Sequence, residues 1–292
     1  MSETTGKLGL GWLPDYPDFR DYTAEKDSIK AMLISVGVDK PMEAGLPAVA
    51  DLRGWCSPVE NQGSLGSCTA NAGVGMVEYF ERRAFGKHID GSRLFLYKAT
   101  RNLLHWSGDT GAFLRSTMGA LVLFGIPPEE YWPYVTADFE KEPTAFCYAY
   151  AQNYQTISYY RLDPPGTAPS PLLNQIKTNL SAGLPSMFGF TVYSSYVQAV
   201  TSGKIPYPTN GEKIVGGHAI VAVGYDDKLK IKNTNPGGAE TTGALLIRNS
   251  WGAGWGDAGY GWLPYEYVLK GLATDWWSLL KNEWIDTGAF KA

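Results

Sequence analysis

The stretch CTANAGVGMVEYFERRAF, residues 68–85, constrains the fold more than any other part of the chain. Its pattern predicts a helix whose first half is small or apolar on nearly every side, so that half must be buried along its length rather than on one stripe. Only a domain with elements on several sides of a helix can bury it that way. With 292 residues, 44% of them hydrophobic, the chain can close a full core around the helix without metal or disulfide support. The second half gains Glu78, Glu81, Arg82 and Arg83, which predicts a more polar end with Glu78 and Arg82 at pairing distance. Gly86 closes the helix.

Residues 9–22 carry Trp12, Tyr16, Phe19 and Tyr22 around Pro14 and Pro17. The prolines predict an extended segment with aromatic side chains free to dock in a groove. Residues 24–36 then read as a short amphipathic helix, capped by Thr23, with Ile29, Met32, Leu33 and Val36 on one face and Gly37 at its end. The loop from Lys40 to Pro47 is the best internal boundary. A further helix is expected over Arg115–Phe124, ending at Gly125. After the Pro-rich connector DPPGTAPSP (163–171) another begins, with Ser170 as cap, Pro171 in the first turn, and Leu172, Leu173, Ile176 and Leu180 facing inward.

Beyond that point the period changes from helix to strand. SMFGFTV (186–192), GGHAIVAVGYD (216–226), ALLIRNS (244–250) and GYGWLPY (259–265) are short, β-branched or aromatic, and bounded by turn residues. A helical first half and a β-rich second half imply an α+β molecule of two lobes, and pockets favour such junctions.

Several function classes fall away. The net charge of −4 has no clustered basic face behind it, which argues against nucleic acid. No apolar run is long enough to span a membrane and the N-terminus has no signal pattern, so no membrane partner is expected and the cytoplasm is the default location. Three cysteines are too few for a disulfide framework.

One of them stands where a nucleophile would. Cys68 follows the glycine-rich turn NQGSLGS (61–67) and opens the long helix, where the partial positive charge of a helix N-terminus favours thiolate. On its own, a small buried packing residue would explain it equally well. His218 tips the balance: it begins a buried strand, flanked by Gly216, Gly217 and Ala219, with room for another group to approach the ring. A cysteine nucleophile needs such an imidazole, and the imidazole needs a group to orient it. Asn249, at the end of ALLIRN, can accept from the ring N–H without adding charge, and Trp251 two residues on can shield that bond. Gln62, six residues before Cys68, can join the Cys68 backbone N–H in binding an oxyanion.

Asn61-Gln62-Gly63, Gly66-Ser67-Cys68, Gly217-His218-Ala219, Gly224-Tyr225 and Asn249-Ser250-Trp251-Gly252 resemble, in order, the active-site blocks of papain-like cysteine peptidases. His218 lies 150 positions after Cys68, and Asn249 a further 31. The resemblance covers residues 46–292, beginning at LPAVADLR (46–53), and implies a two-lobe papain-like fold with the Cys helix in a mainly helical lobe (about 46–160), His and Asn in a mainly β lobe (about 161–292), and substrate in the cleft between them. It implies thiol endopeptidase activity through a thioester, acting on peptides or proteins with no cofactor and no metal. An acyl transferase or a non-catalytic binding module on the same fold are the rival readings. Gly111, in GDTGAF, resembles the family's substrate-pairing glycine stretch, and Gly217 and Trp251 are further candidate substrate-binding positions.

The chain also departs from the family pattern. Thr69 follows the nucleophile where tryptophan is usual. Leu65 stands where many relatives have a disulfide cysteine, as in a bacterial-type variant without that bridge, so Cys56 and Cys147 are expected as buried free thiols. Gly217 replaces the aspartate of papain itself. Residues 1–45 fall outside the family-like region and are expected to form a short inhibitory prosegment, although the family's usual long prosegment helix is missing.

Overall fold

The structure, a computed structural model, describes residues 9–38, 45–282 and 285–286. After an extended entry come α1 (Asp27–Ser35), β1 (Val49–Asp51), α2 (Cys68–Phe85), α3 (Arg93–Leu103), α4 (Leu114–Leu123), α5 (Ala145–Ala151), β2 (Thr156–Arg161) and α6 (Pro169–Ser181). The remainder is β3 (Ser186–Tyr193), β4 (Ile214–Lys232), β5 (Glu240–Arg248), β6 (Tyr260–Pro264), α7 (Tyr265–Leu269), β7 (Ala273–Asn282) and β8 (Ile285–Asp286). The strands form one antiparallel sheet in the order β2-β7-β3-β4-β5-β6, with β1 on β4 and β8 on β7. Helices dominate the first half and sheet the second, giving the α+β two-lobe architecture.

Helix α2 is the axis of the helical lobe, and every residue from Cys68 to Glu81 is buried. Its small residues let neighbours approach: a Cβ on Gly73 would stand 3.2 Å from Thr117, 3.3 Å from Leu96 and 3.5 Å from Leu121, so α3 and α4 close directly onto its backbone. The left-handed Gly86 (φ 71°) ends the helix and donates to Arg82 O. Glu78 does not turn outward to Arg82. It accepts from Ser57 Oγ and Gly91 N, and burial pushes its carboxyl up to about 7. A surface pairing rule fails there because the residue lies inside the protein.

Other expectations shift by a turn or less. Helix α1 begins at Asp27 without a side-chain cap, and α6 begins two residues earlier than expected, with Pro169 in its first turn and Ser170 inside it. Helices α3 and α5 and strands β2 and β7 were not foreseen; α3 carries an ordinary cap signal, Ser92 Oγ accepting from Phe95 N at 3.1 Å. Cys56 and Cys147 are buried and unpaired with one another. The boundary loop over 40–44 lies outside the described residues.

Candidate active site

Two neighbouring strands and one helix terminus bring the candidate residues together. Strand β4 carries His218, and its antiparallel register with β5 (Val221 opposite Arg248) sets Asn249, just past the end of β5, near the ring. His218 Nε2 lies 2.8 Å from Asn249 Oδ1. An amide oxygen only accepts, so Nε2 carries the hydrogen and Nδ1 holds the free lone pair. Nδ1 is buried and has no hydrogen-bond partner among the described residues. The Trp251 indole stacks on the imidazole, with ring centres 4.5 Å apart and planes within 17°, covering the His218–Asn249 bond.

Cys68 is the first residue of α2 and has no exposed surface. Burial pushes its thiol up to about 11, although the N–H groups of Ala219, Gly11, Thr69 and Cys68 itself pull the other way. Burial likewise lowers His218 to about 4, with Asn249 opposing. Burial thus favours the neutral form of both groups, against the pull of the helix terminus. Desolvation outweighs the helix dipole here.

Gln62 is held at both ends. Its Oε1 accepts from Ser250 Oγ at 2.5 Å, and its Nε2 donates to Leu65 O at 2.7 Å and to Gly9 O at 3.2 Å. Trp251 Nε1 also donates to Gly9 O, at 3.3 Å. Gly9 belongs to the extended N-terminal stretch, so a carbonyl oxygen of the chain itself stands at the Gln62 amide.

The rest of that stretch runs across the same surface. Gly9 N donates to Gly63 O, Trp12 N to Gly217 O, and Leu13 N and Ala112 N form bonds to Ala112 O and Gly11 O. Trp12 and Ala112 thus pair as parallel strands. The pairing groups belong to Ala112 and not to Gly111, whose role is steric: a Cβ there would lie 2.1 Å from Gly11 O. The Trp12 side chain fills a pocket that exists because Gly189 has no side chain, since a Cβ on Gly189 would lie 1.8 Å from the indole. At the pocket floor Trp12 Nε1 donates to Asp275 Oδ2 at 3.1 Å. Asp275 is fully buried, and burial pushes its carboxyl up to about 7 despite the nearby Arg161.

A family model described as papain family cysteine protease matches residues 46–275. The chain belongs to that family. It is a papain-like cysteine endopeptidase, and peptides or proteins are its substrates. Xylellain, a cysteine protease from Xylella fastidiosa, is 32% identical with a TM-score of 0.74, the match covering 96% of this chain and 98% of xylellain. An uncharacterized peptidase C1-like protein of Acanthamoeba polyphaga mimivirus is 31% identical over 95% of this chain and 88% of its own length. The thiol protease aleurain of Arabidopsis thaliana is 28% identical over 94% of this chain and 73% of aleurain. Among the described residues of this papain-family chain, no three His, Cys, Asp or Glu side chains are grouped to hold a metal ion.

The expected docking of the aromatic strip is realised by Trp12, which fills a pocket, and in part by Tyr22, which packs edge-on against Tyr159. Tyr16 and Phe19 are 89% and 96% exposed. Asp15 and Asp21 hold the segment instead, through Arg115 and Arg161. Sequence reasoning passed over these aspartates because nothing in a single sequence pairs them with arginines some hundred positions away.

Proposed function

We propose that Cys68 is the nucleophile, His218 its base, Asn249 the group that orients the base, and Gln62 an oxyanion donor, and that residues 9–22 lie in the cleft as an inhibitor until displaced. The observation that carries this reading is the position of Gly9 O, an acyl oxygen hydrogen-bonded to Gln62 Nε2 while the next residues cross Cys68. In turnover the Cys68 thiol gives its proton to His218 Nδ1 and the sulfur attacks the substrate carbonyl. Gln62 Nε2 and the Cys68 N–H stabilise the resulting oxyanion. His218 returns the proton to the leaving amine as the C–N bond breaks and a thioester forms. It then takes a proton from water, whose oxygen displaces the thiolate and releases the acid.

The same geometry supports the resistance of the segment to cleavage. What meets the sulfur is the N–H of Gly11, which offers no electrophilic carbon. The buried, neutral pair of Cys68 and His218 is also a weak nucleophile compared with a solvated ion pair. The test compares full-length protein with a form beginning near Leu46, with peptide 1–45 then added back. Higher activity of the short form and dose-dependent loss on add-back are expected. Equal activity of the two forms would overturn the inhibitory role.

A further inference from the structure

Arg115 is the second residue of α4 and lies three positions after Ala112, whose backbone pairs with the N-terminal segment. Its guanidinium makes a close ion pair from Nη1 to Asp15, while Nε donates to Asp21 Oδ1 at 2.7 Å, and Nη2 to Asp21 Oδ2 at 2.9 Å and to Tyr16 O at 2.7 Å. Every one of these oxygens belongs to the segment in the cleft. Among the described residues the guanidinium also lies near the face of Trp277, with the ring centre 6.0 Å away, and its two carboxylate partners are Asp15 and Asp21. Arg161 differs: besides Asp21 it bonds Asp163 and approaches Asp275, both outside the segment. Displacing the segment therefore leaves Arg161 neutralised and leaves Arg115 as a planar cation without a carboxylate, on the same wall as the substrate-pairing backbone.

We propose that Arg115 is a specificity-determining residue that binds an acidic side chain of the peptide substrate, at the outer end of the cleft. The proposal rests on the reading of residues 9–22 as a displaceable occupant. The segment then serves as a template: Trp12 fills the pocket over Asp275, and Asp15, three residues on and farther from Cys68, reaches Arg115. An extended peptide of either direction can use the N–H and C=O of Ala112, so the spacing carries over without the direction. A guanidinium fork suits a carboxylate because two parallel N–H···O bonds form at once, whereas an amide can satisfy only part of the fork.

The experiment uses the full chain with the occupant loosened by Trp12→Ala, Asp15→Asn and Asp21→Asn. In a Cys68→Ala form of that protein, fluorescence anisotropy measures the binding of peptides carrying Glu or Gln at successive positions away from the scissile bond. In the Cys68 form, kcat/KM is measured on the same peptides. At one position Glu is expected to bind at least tenfold more tightly than Gln. Arg115→Gln brings that ratio to about one, and Arg115→Glu transfers the preference to a Lys peptide, a charge reversal that a merely structural arginine would not produce. Equal binding of Glu and Gln peptides at every position, or binding of neither, overturns the proposal. A Glu preference in binding without hydrolysis of any peptide upholds Arg115 and counts instead against the catalytic assignment.

Discussion

Trp12 and Asp275, 263 positions apart, meet at 3.1 Å through the indole N–H and a carboxylate oxygen at the floor of a pocket beside the candidate nucleophile. The contact ties the first described residues of the chain to one of its last strands, and it makes the hold of the segment testable at a single side chain. Trp12→Ala empties the pocket; truncating a buried aromatic costs about 3–5 kcal/mol. The full-length variant is expected to gain basal peptidase activity by about 100-fold or more where that cost falls on the closed form alone. Trp12→Phe keeps the ring but strands the Asp275 oxygen, and should give a smaller gain.

Gly189→Ala tests the same contact from the other side. Gly189 lies in β3 with no left-handed backbone, so alanine suits its strand, but the new Cβ would lie 1.8 Å from the Trp12 indole. Basal activity of the full-length variant should rise while thermal unfolding of the catalytic core changes little. Unchanged activity with Trp12 still protected from oxidation would count against the pocket as the main anchor.

The chemical state of Cys68 provides a second readout. With the segment in place, burial pushes the thiol up to about 11 and the imidazole down to about 4, favouring the neutral form of both. Alkylation of Cys68 in the full-length protein should be slow at pH 7 and accelerate only toward alkaline pH. In the form beginning near Leu46, solvent reaches the pair and fast alkylation should extend below neutrality. Cys56 and Cys147, both buried, should stay unlabelled in either form, as peptide mapping will show.

Loss of single groups should have unequal effects. Cys68→Ala and His218→Ala each abolish turnover because nucleophile and base act as a unit. Gln62→Ala removes one oxyanion donor and should cost about 10²–10³ in kcat. Asn249→Ala frees the ring to rotate and should likewise be partial. A folded Gln62→Ala enzyme with unchanged kcat would falsify the oxyanion assignment.

What the sequence disclosed and what it withheld have physical reasons. The helix from Cys68 to Phe85 was legible to the residue because the glycine-rich turn before it, its buried first half and its terminal glycine agree. The candidate site residues could be picked out because their chemistry is local to short blocks, two of which the fold joins through His218 and Asn249 at 2.8 Å. Helix α3 was not, and neither was β7, whose Trp276 and Trp277 are fully buried, because irregular turns around them mask their period. The clamp of Asp15 and Asp21 on Arg115 and Arg161 was invisible, since ion pairs between distant segments leave no spacing to read. The desolvation of Cys68 was missed for a related reason: the helix terminus is a local feature, whereas burial depends on what lies over it.

The last prediction concerns pH, where two aspartates work in opposite senses. Burial pushes the carboxyl of Asp21 up, but its bonds from Arg115 and from the Asp18 N–H, with the charges of Arg115 and Arg161, leave it below its ordinary value of 3.8. A depressed folded-state value means that its stabilising contribution is present above that ordinary value and is lost as the pH falls through the lower one. Asp275 is the reverse case: burial raises it from 3.8 to about 7, so its contribution is complete below pH 4 and disappears as the pH climbs toward 7. A shift of that size corresponds to a few kcal/mol, on the order of 1.4 per pKa unit. Asp275→Asn keeps a polar group at the pocket floor and removes the titration, so its stability relative to wild type should improve steadily between pH 4 and 7 and then level off. Asp21→Asn should be less stable than wild type at pH 6 and converge with it in strong acid. Thermal unfolding midpoints of the two variants from pH 3 to 8 will decide the matter. If the two difference curves run parallel, the assignment of opposite roles to these carboxyls is wrong.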